Sequence, residues 1–286
     1  MIGRYLRAAW KAIDTLVSGF GLEIAGNIAY TGLLAIFPFL VFLASLAGFI
    51  GGYADSFASV RAALDLLPAD IARTLQPVIQ QILNSADGSL LTLGFLGAIW
   101  FASSGFDSLR VALNAAYDVD EPRSWWVRKL RSIGGVVVGG IVFLLLSVLV
   151  IFGPLIWKAI LWVAPLDESR RWPFALFRYG LATLVLFAAL MALHRWLPGR
   201  CLTWRTLLPG VIATTILWLL AAWLYSVYLA TLGNYGATYG SLGGVIATLV
   251  FFYFSAVLFI FGAEFNKALL RQHRTRRAPL AEPQAT

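Results

Sequence analysis

The chain has 286 residues, of which 60% are hydrophobic and 13% charged, with a mean hydropathy of +0.80 and a formal net charge of +8. This composition excludes a soluble globular enzyme and a disordered chain, and it places the sequence among integral membrane proteins. The single Cys201 excludes an intramolecular disulfide.

Residues 4–20 set Leu6, Ala9, Trp10, Ile13, Val17 and Phe20 on one helical face, with Arg4, Arg7, Lys11, Asp14 and Ser18 opposite. That pattern predicts an interfacial helix lying on a leaflet. The first long apolar run begins too late for a cleavable signal peptide and lacks a small-residue cleavage pattern. Six apolar segments long enough to span follow, at about 27–50, 90–112, 133–157, 175–196, 208–230 and 240–263. The expected fold is therefore an all-α integral membrane protein with six transmembrane helices, forming a single membrane domain over residues 1–270.

The first span carries Asn27 and Tyr30 one turn apart, and Pro38 should kink it by removing a backbone hydrogen bond. Between the first two spans, a loop over about 53–87 repeats Ile71, Leu75, Val78, Ile79, Ile82 and Leu83 at helical spacing after Pro68. An amphipathic helix is expected there on the outer, periplasmic side. It would cap the bundle, rest on the leaflet or bind envelope proteins.

The second span ends in WFASSGFDSLRVALN, which places Ser103, Ser104, Asp107, Arg110 and Asn114 at its polar end. Ionisable groups at membrane depth point into a bundle or a wet cavity, so this face should turn inward. A mixed-charge loop with Trp125 and Trp126 comes next, where an interfacial aromatic belt is expected. The third run should bend at Gly153 and Pro154, and its Gly135 and Gly139 permit close helix contact.

His194 and Arg195 close the fourth span in a capping or interfacial role, and Pro198, Gly199, Pro209 and Gly210 punctuate the turn into the fifth. An uncharged, glycine-rich hairpin joins the fifth and sixth spans. The sixth ends in FGAEFNKALLR, with Glu264 and Asn266 at its boundary, and a basic tail over 271–286 is expected to be disordered.

Fifteen Lys and Arg fall on the side holding both termini against six on the other, so the positive-inside rule makes both termini cytoplasmic. This distribution reads the net charge as topology and affinity for anionic headgroups, and not as nucleic-acid binding. No HExxH, metal-spaced Cys/His set, triad or Walker motif occurs, so neither an enzyme nor a cofactor or metal site is expected. What stands out is a polar layer of Asn27, Tyr30, Asp107, Arg110, Asn114, Glu264 and Asn266. It is either a structural clasp, with Arg110 paired to Asp107 or Glu264, or a site where Arg110 receives an anionic headgroup or substrate.

Several stretches together resemble the YihY/BrkB family of bacterial inner-membrane proteins: AGNIAYTGLLAIFPF, LLP at the outer helix, ALNAAY, LPG before the fifth span, TYGSLGG and FGAEFN. The resemblance runs from about Leu22 to Arg271. It implies six helices in the cytoplasmic membrane, in a family whose members have been labelled a virulence factor or ribonuclease BN and linked to envelope lipid export. The ribonuclease label finds no metal-binding carboxylates or histidine pair here. The expectation is a transporter or flippase-like protein for a lipid or amphipathic anion, with membrane lipids as partners. The alternative is a non-transporting scaffold of envelope machinery. Small-residue faces would also allow a homo-oligomer.

Overall fold

The computed structural model describes residues 2–36, 38, 88–150, 157, 161, 171–200, 202–231 and 242–277. Among these residues the structure is helical, without strands. The helices are α1 (Ile2–Ser18), α2 (Gly21–Ile36), α3 (Gly88–Tyr117), α4 (Trp125–Val150), α5 (Arg171–Trp196), α6 (Trp204–Thr231) and α7 (Leu242–Arg277). Pro154, the loop over 53–87 and the hairpin between α6 and α7 lie outside the described residues.

Among the described residues four helices are long and apolar enough to cross a membrane: Trp125–Val150, Trp172–Trp196, Trp204–Leu229 and Gly243–Gln272. They correspond to the predicted third to sixth spans. A fifth candidate counts α1 and α2 together across their break. α3 contains the predicted second span as a continuous helix, and its polar end carries Ser103, Ser104, Asp107 and Arg110. Two of those groups are hidden locally, because Ser103 and Ser104 donate to the Trp100 carbonyl at 2.8 and 3.1 Å.

The described residues fall into two compact units. The first comprises Met1–Gly21, Arg110–Trp218 and Leu258–Thr286, and the second Leu22–Leu109 and Leu219–Val257.

In the first unit, α1 turns Ala8, Ala12 and Leu16 inward at four-residue spacing, and Ala8 and Ala12 pack on Phe265, Ala268 and Leu269 of α7. Small side chains let the two helices approach closely. The opposite face of α1 stays bare, with Trp10 75% and Val17 60% exposed, and this is the face the sequence assigns to a membrane interface. A second core cluster joins Met191 of α5 to Leu207 and Val211 of α6.

α6 and α7 meet at glycines. A side-chain carbon on Gly210 would run into the Gly262 carbonyl and the Asn266 amide, and one on Gly262 would strike the Thr214 hydroxyl. Pro209, inside α6, interrupts the helical ladder at the same point.

In the second unit, Gly32 of α2 sits against the Phe252 ring, and Gly97 of α3 approaches Pro38 closely enough that a side-chain carbon would lie 3.2 Å from it. Tyr225 of α6 donates to the Ala247 carbonyl of α7 at 2.6 Å and packs on the Phe251 ring.

Candidate functional site

The first unit gathers its charges where α3 ends. α3 stops in a Schellman motif: Asp118 N–H bonds the Ala115 carbonyl at 3.4 Å, and Val119 N–H bonds the Asn114 carbonyl at 2.9 Å. The left-handed position of that motif normally belongs to glycine, yet here Asp118 holds it with φ 52°. The carboxylate so placed takes charge-assisted hydrogen bonds from Lys267, at 2.8 Å, and from Arg271 of α7. The Lys267 hydrogen bond foremost, then the charges of Lys267 and Arg271, outweigh partial burial and hold the Asp118 carboxyl below its usual range.

One turn earlier, Arg110 and Asn114 share the inner face of α3, and both are buried. The loop after α3 folds back and sets Glu121 between them. Arg110 Nη1 donates to Glu121 Oε2 at 2.7 Å, and Asn114 Nδ2 donates to the same oxygen at 3.0 Å. Burial of Glu121 works against its charge, but these hydrogen bonds and the charges of Arg110 and Arg123 prevail, so its carboxyl also titrates below the usual range.

The network then crosses to the end of α5. Asn114 Oδ1 accepts from Gly199 N–H at 2.8 Å, while Arg123 donates to the Leu197 and Pro198 carbonyls at 3.2 and 2.6 Å. Those carbonyls lie just past the last turn of α5, where cations are favoured. Gly199 is required here, because a side-chain carbon would sit 2.5 Å from the Asp120 carbonyl.

Asn266 completes the arrangement from α7. Its Oδ1 accepts from Gly210 N–H at 2.7 Å, and its Nδ2 donates to the Leu207 carbonyl at 3.0 Å and to the Tyr117 hydroxyl at 3.3 Å. The side chain thus acts as a substitute peptide beside Pro209, serving backbone groups where the ladder of α6 is interrupted. Glu264, also buried, lies 4.0 Å from Lys267.

Around this cluster runs a collar of tryptophans and arginines. Trp126 is 76% exposed and meets Trp125 edge-on. Arg195 lies over Trp204 at 4.9 Å while donating to the Leu202 carbonyl, and Arg131 lies over Trp196 at 6.0 Å.

Of the residues expected from sequence, the first unit brings together Arg110, Asn114, Glu264 and Asn266. The others belong to the second unit. There Asn27 is exposed and its Oδ1 accepts from the Ser108 hydroxyl at 3.2 Å, Tyr30 is 59% exposed, and Asp107 is half-buried. Glu121, Asp118, Tyr117 and Arg123 were not among the expected site residues, and Gly199 was read only as part of a turn. Their signal was present in the stripe Arg110, Asn114, Tyr117 at helical spacing, followed at once by the acidic run of YDVDEP. His194, expected at an interfacial helix end, is wholly buried against Phe259, with Nδ1 2.9 Å from the Leu190 carbonyl.

The family model described as virulence factor BrkB matches residues 16–286. A ribonuclease-like protein of Bacillus subtilis, YfkH, is 33% identical over 92% of this chain and 94% of its own length. A UPF0761 membrane protein of Rhodospirillum centenum is 26% identical over 90% of this chain but 56% of its own length. Another, from Alteromonas mediterranea, is 24% identical over 89% of this chain and 84% of its own. No solved structure matches the chain. With apolar helices, membrane-protein relatives and a family match over most of its length, the chain is a membrane protein and belongs to the BrkB family.

Proposed function

We propose that this chain moves an anionic amphipath, a lipid with a phosphate headgroup foremost, across the bacterial cytoplasmic membrane, with six spans and both termini in the cytoplasm. The observation that supports it is the buried charge network of the first unit, Arg110 with Glu121 and Asn114. A passive membrane anchor would fill such a position with apolar residues, which cost less to bury than an ion pair. In a transport cycle the Arg110 guanidinium exchanges the Glu121 carboxylate for the headgroup phosphate, a like-for-like substitution of one oxyanion for another. The collar of exposed Trp and half-buried Arg side chains gives anionic headgroups a place to collect.

The scaffold reading is favoured by one observation: the Asn266 amide and the Arg110–Glu121 pair are satisfied within the chain, as in a closed clasp. The nuclease reading invited by the name of YfkH gains no support, since among the described residues no three His, Cys, Asp or Glu gather into a metal-binding group.

The deciding experiment is headgroup-labelled phosphatidylglycerol in proteoliposomes, comparing wild type with the neutral pair Arg110→Gln/Glu121→Gln. That double variant keeps hydrogen-bonding side chains while removing both charges. Transport by the wild type, lost in a variant with unchanged helical circular dichroism and elution, is the expected result. No transport by the wild type would leave the scaffold reading standing, and equal transport by both proteins would take the Arg110–Glu121 pair out of the transport step.

A further inference from the structure

Arg178 lies on α5, in the candidate span Trp172–Trp196, and it is 8% exposed. Its Nε is buried and, among the described residues, finds no hydrogen-bond acceptor, nor does any carboxylate pair with the guanidinium. An arginine cannot shed its charge to escape this. The ring of Tyr179 lies 4.4 Å from the Arg178 Cζ, a contact that covers a single face of the cation.

The placement is specific. Phe174, Arg178 and Ala182 follow one another at four-residue spacing on one face of α5; Ala182 is buried, and Phe174 packs on Trp157 at 5.0 Å between ring centres. Arg178 therefore points into the unit and does not snorkel outward. Tyr179 is 52% exposed, so its half-exposed ring lies between one face of the guanidinium and the surroundings of the helix.

Depth adds the second argument. Arg178 sits about 9 Å along the helix from Trp172, which is 75% exposed as an interfacial anchor would be. It sits about 27 Å along the same helix from Trp196, beside which Arg123 and Asn114 hold the chain. That separation approaches the thickness of the hydrocarbon core.

We infer that Arg178 is an anion-binding station for a phosphate-bearing headgroup, at the end of α5 opposite the Arg110–Glu121 network, with the Tyr179 ring as its movable cover. This deepens the transport reading and rests on it: one cation is held near each end of a single span, one paired with Glu121 and the other, among the described residues, with no acceptor at Nε. A phosphate oxygen would supply that acceptor, in the bidentate geometry a guanidinium favours.

The test is native mass spectrometry of the full chain in mild detergent, titrated separately with phosphatidylglycerol, phosphatidylcholine and inorganic phosphate. The proteins compared are wild type, Arg178→Gln, Arg178→Lys and Arg110→Gln/Glu121→Gln. The expected result is phosphatidylglycerol binding that weakens about tenfold or more in Arg178→Gln. Arg178→Lys should retain part of it, and phosphatidylcholine should be unaffected. Binding of inorganic phosphate with the same Arg178 dependence, without lipid binding, supports the anion site and assigns it to the free ion. If wild type and Arg178→Gln hold phosphatidylglycerol equally while the neutral pair loses it, the Arg178 station is overturned and the transport reading survives. If the wild type holds neither lipid nor phosphate, both fall.

Discussion

The first unit holds two buried arginines in opposite circumstances. Arg110 is gripped by Glu121 at 2.7 Å, and its neighbour Asn114 ties the same carboxylate to the turn after α5. Arg178, near the other end of α5, is equally buried and, among the described residues, has neither an ion pair nor a bond at Nε. Burial alone therefore says little about what a membrane arginine does; the supply of acceptors decides it. Where the chain supplies the acceptor a ligand must displace it, and where none is supplied a ligand can be taken up directly.

The sharpest way to break this comparison is to remove one partner at a time. Glu121→Ala removes the carboxylate that grips the buried Arg110 cation, and should cost about 3–5 kcal/mol. Arg178→Met removes a charge that has no ion pair among the described residues, so its thermal unfolding in detergent should match or exceed the wild type. Equal losses in the two variants would mean that Arg178 is as firmly integrated as Arg110.

A smaller effect is expected where α6 crosses α7. Gly210→Ala drives a methyl group against the Gly262 carbonyl and the Asn266 amide, and overpacking of this kind costs about 1–3 kcal/mol. Asn266→Ala strands Gly210 N–H, with a loss of about 1–3 kcal/mol. Because both changes destroy the same contact, the double variant should be less destabilised than the sum. Additive losses would show that Asn266 and Gly210 act independently.

Acid should separate the two arginines as well. Glu121 has a folded pKa below its unfolded value, so its stabilising contribution is present above the ordinary carboxylate range, near 4.3. It is lost as the pH falls through the lowered folded value. Wild type should accordingly lose more Tm between pH 6 and pH 3 than Glu121→Gln, whereas Arg178→Met should follow the wild-type profile. A Glu121→Gln profile parallel to wild type would show that Glu121 carries none of this pH dependence.

Much of this was legible in the sequence, for reasons specific to each residue. The third to sixth spans announced themselves because a membrane helix needs about twenty apolar residues, and nothing else in a protein looks like that. The inward polar face of α3 was legible for the same reason in reverse. What the sequence did not disclose was the choice of partner. For Arg110 the sequence suggested Asp107 or Glu264 and did not suggest Glu121, which reaches it from a loop whose path depends on the Schellman turn at Asp118. Asn266 looked like one more member of a polar layer, and only its pairing with Gly210 beside Pro209 reveals it as a repair to the backbone of α6. Periodicity reports which face a residue occupies, while loop geometry decides what that face meets.

Asp118 offers the smallest and most discriminating test. Its left-handed backbone costs an L-residue about 1–2 kcal/mol, which glycine would not incur. Its carboxylate is 57% exposed, so its pairs with Lys267 and Arg271 are worth at most about 1 kcal/mol and are screened by salt. Asp118→Gly removes the strain and the ion pairs together, and stability should change by less than about 1 kcal/mol in either direction. Asp118→Ala keeps the strain and loses the pairs, so it should be the less stable of the two. If Asp118→Gly instead destabilised the protein as strongly as Glu121→Ala, the bridge to Lys267 and Arg271 would belong to the Arg110 network, and the boundary between structural and available charge would have to be drawn further out along α7.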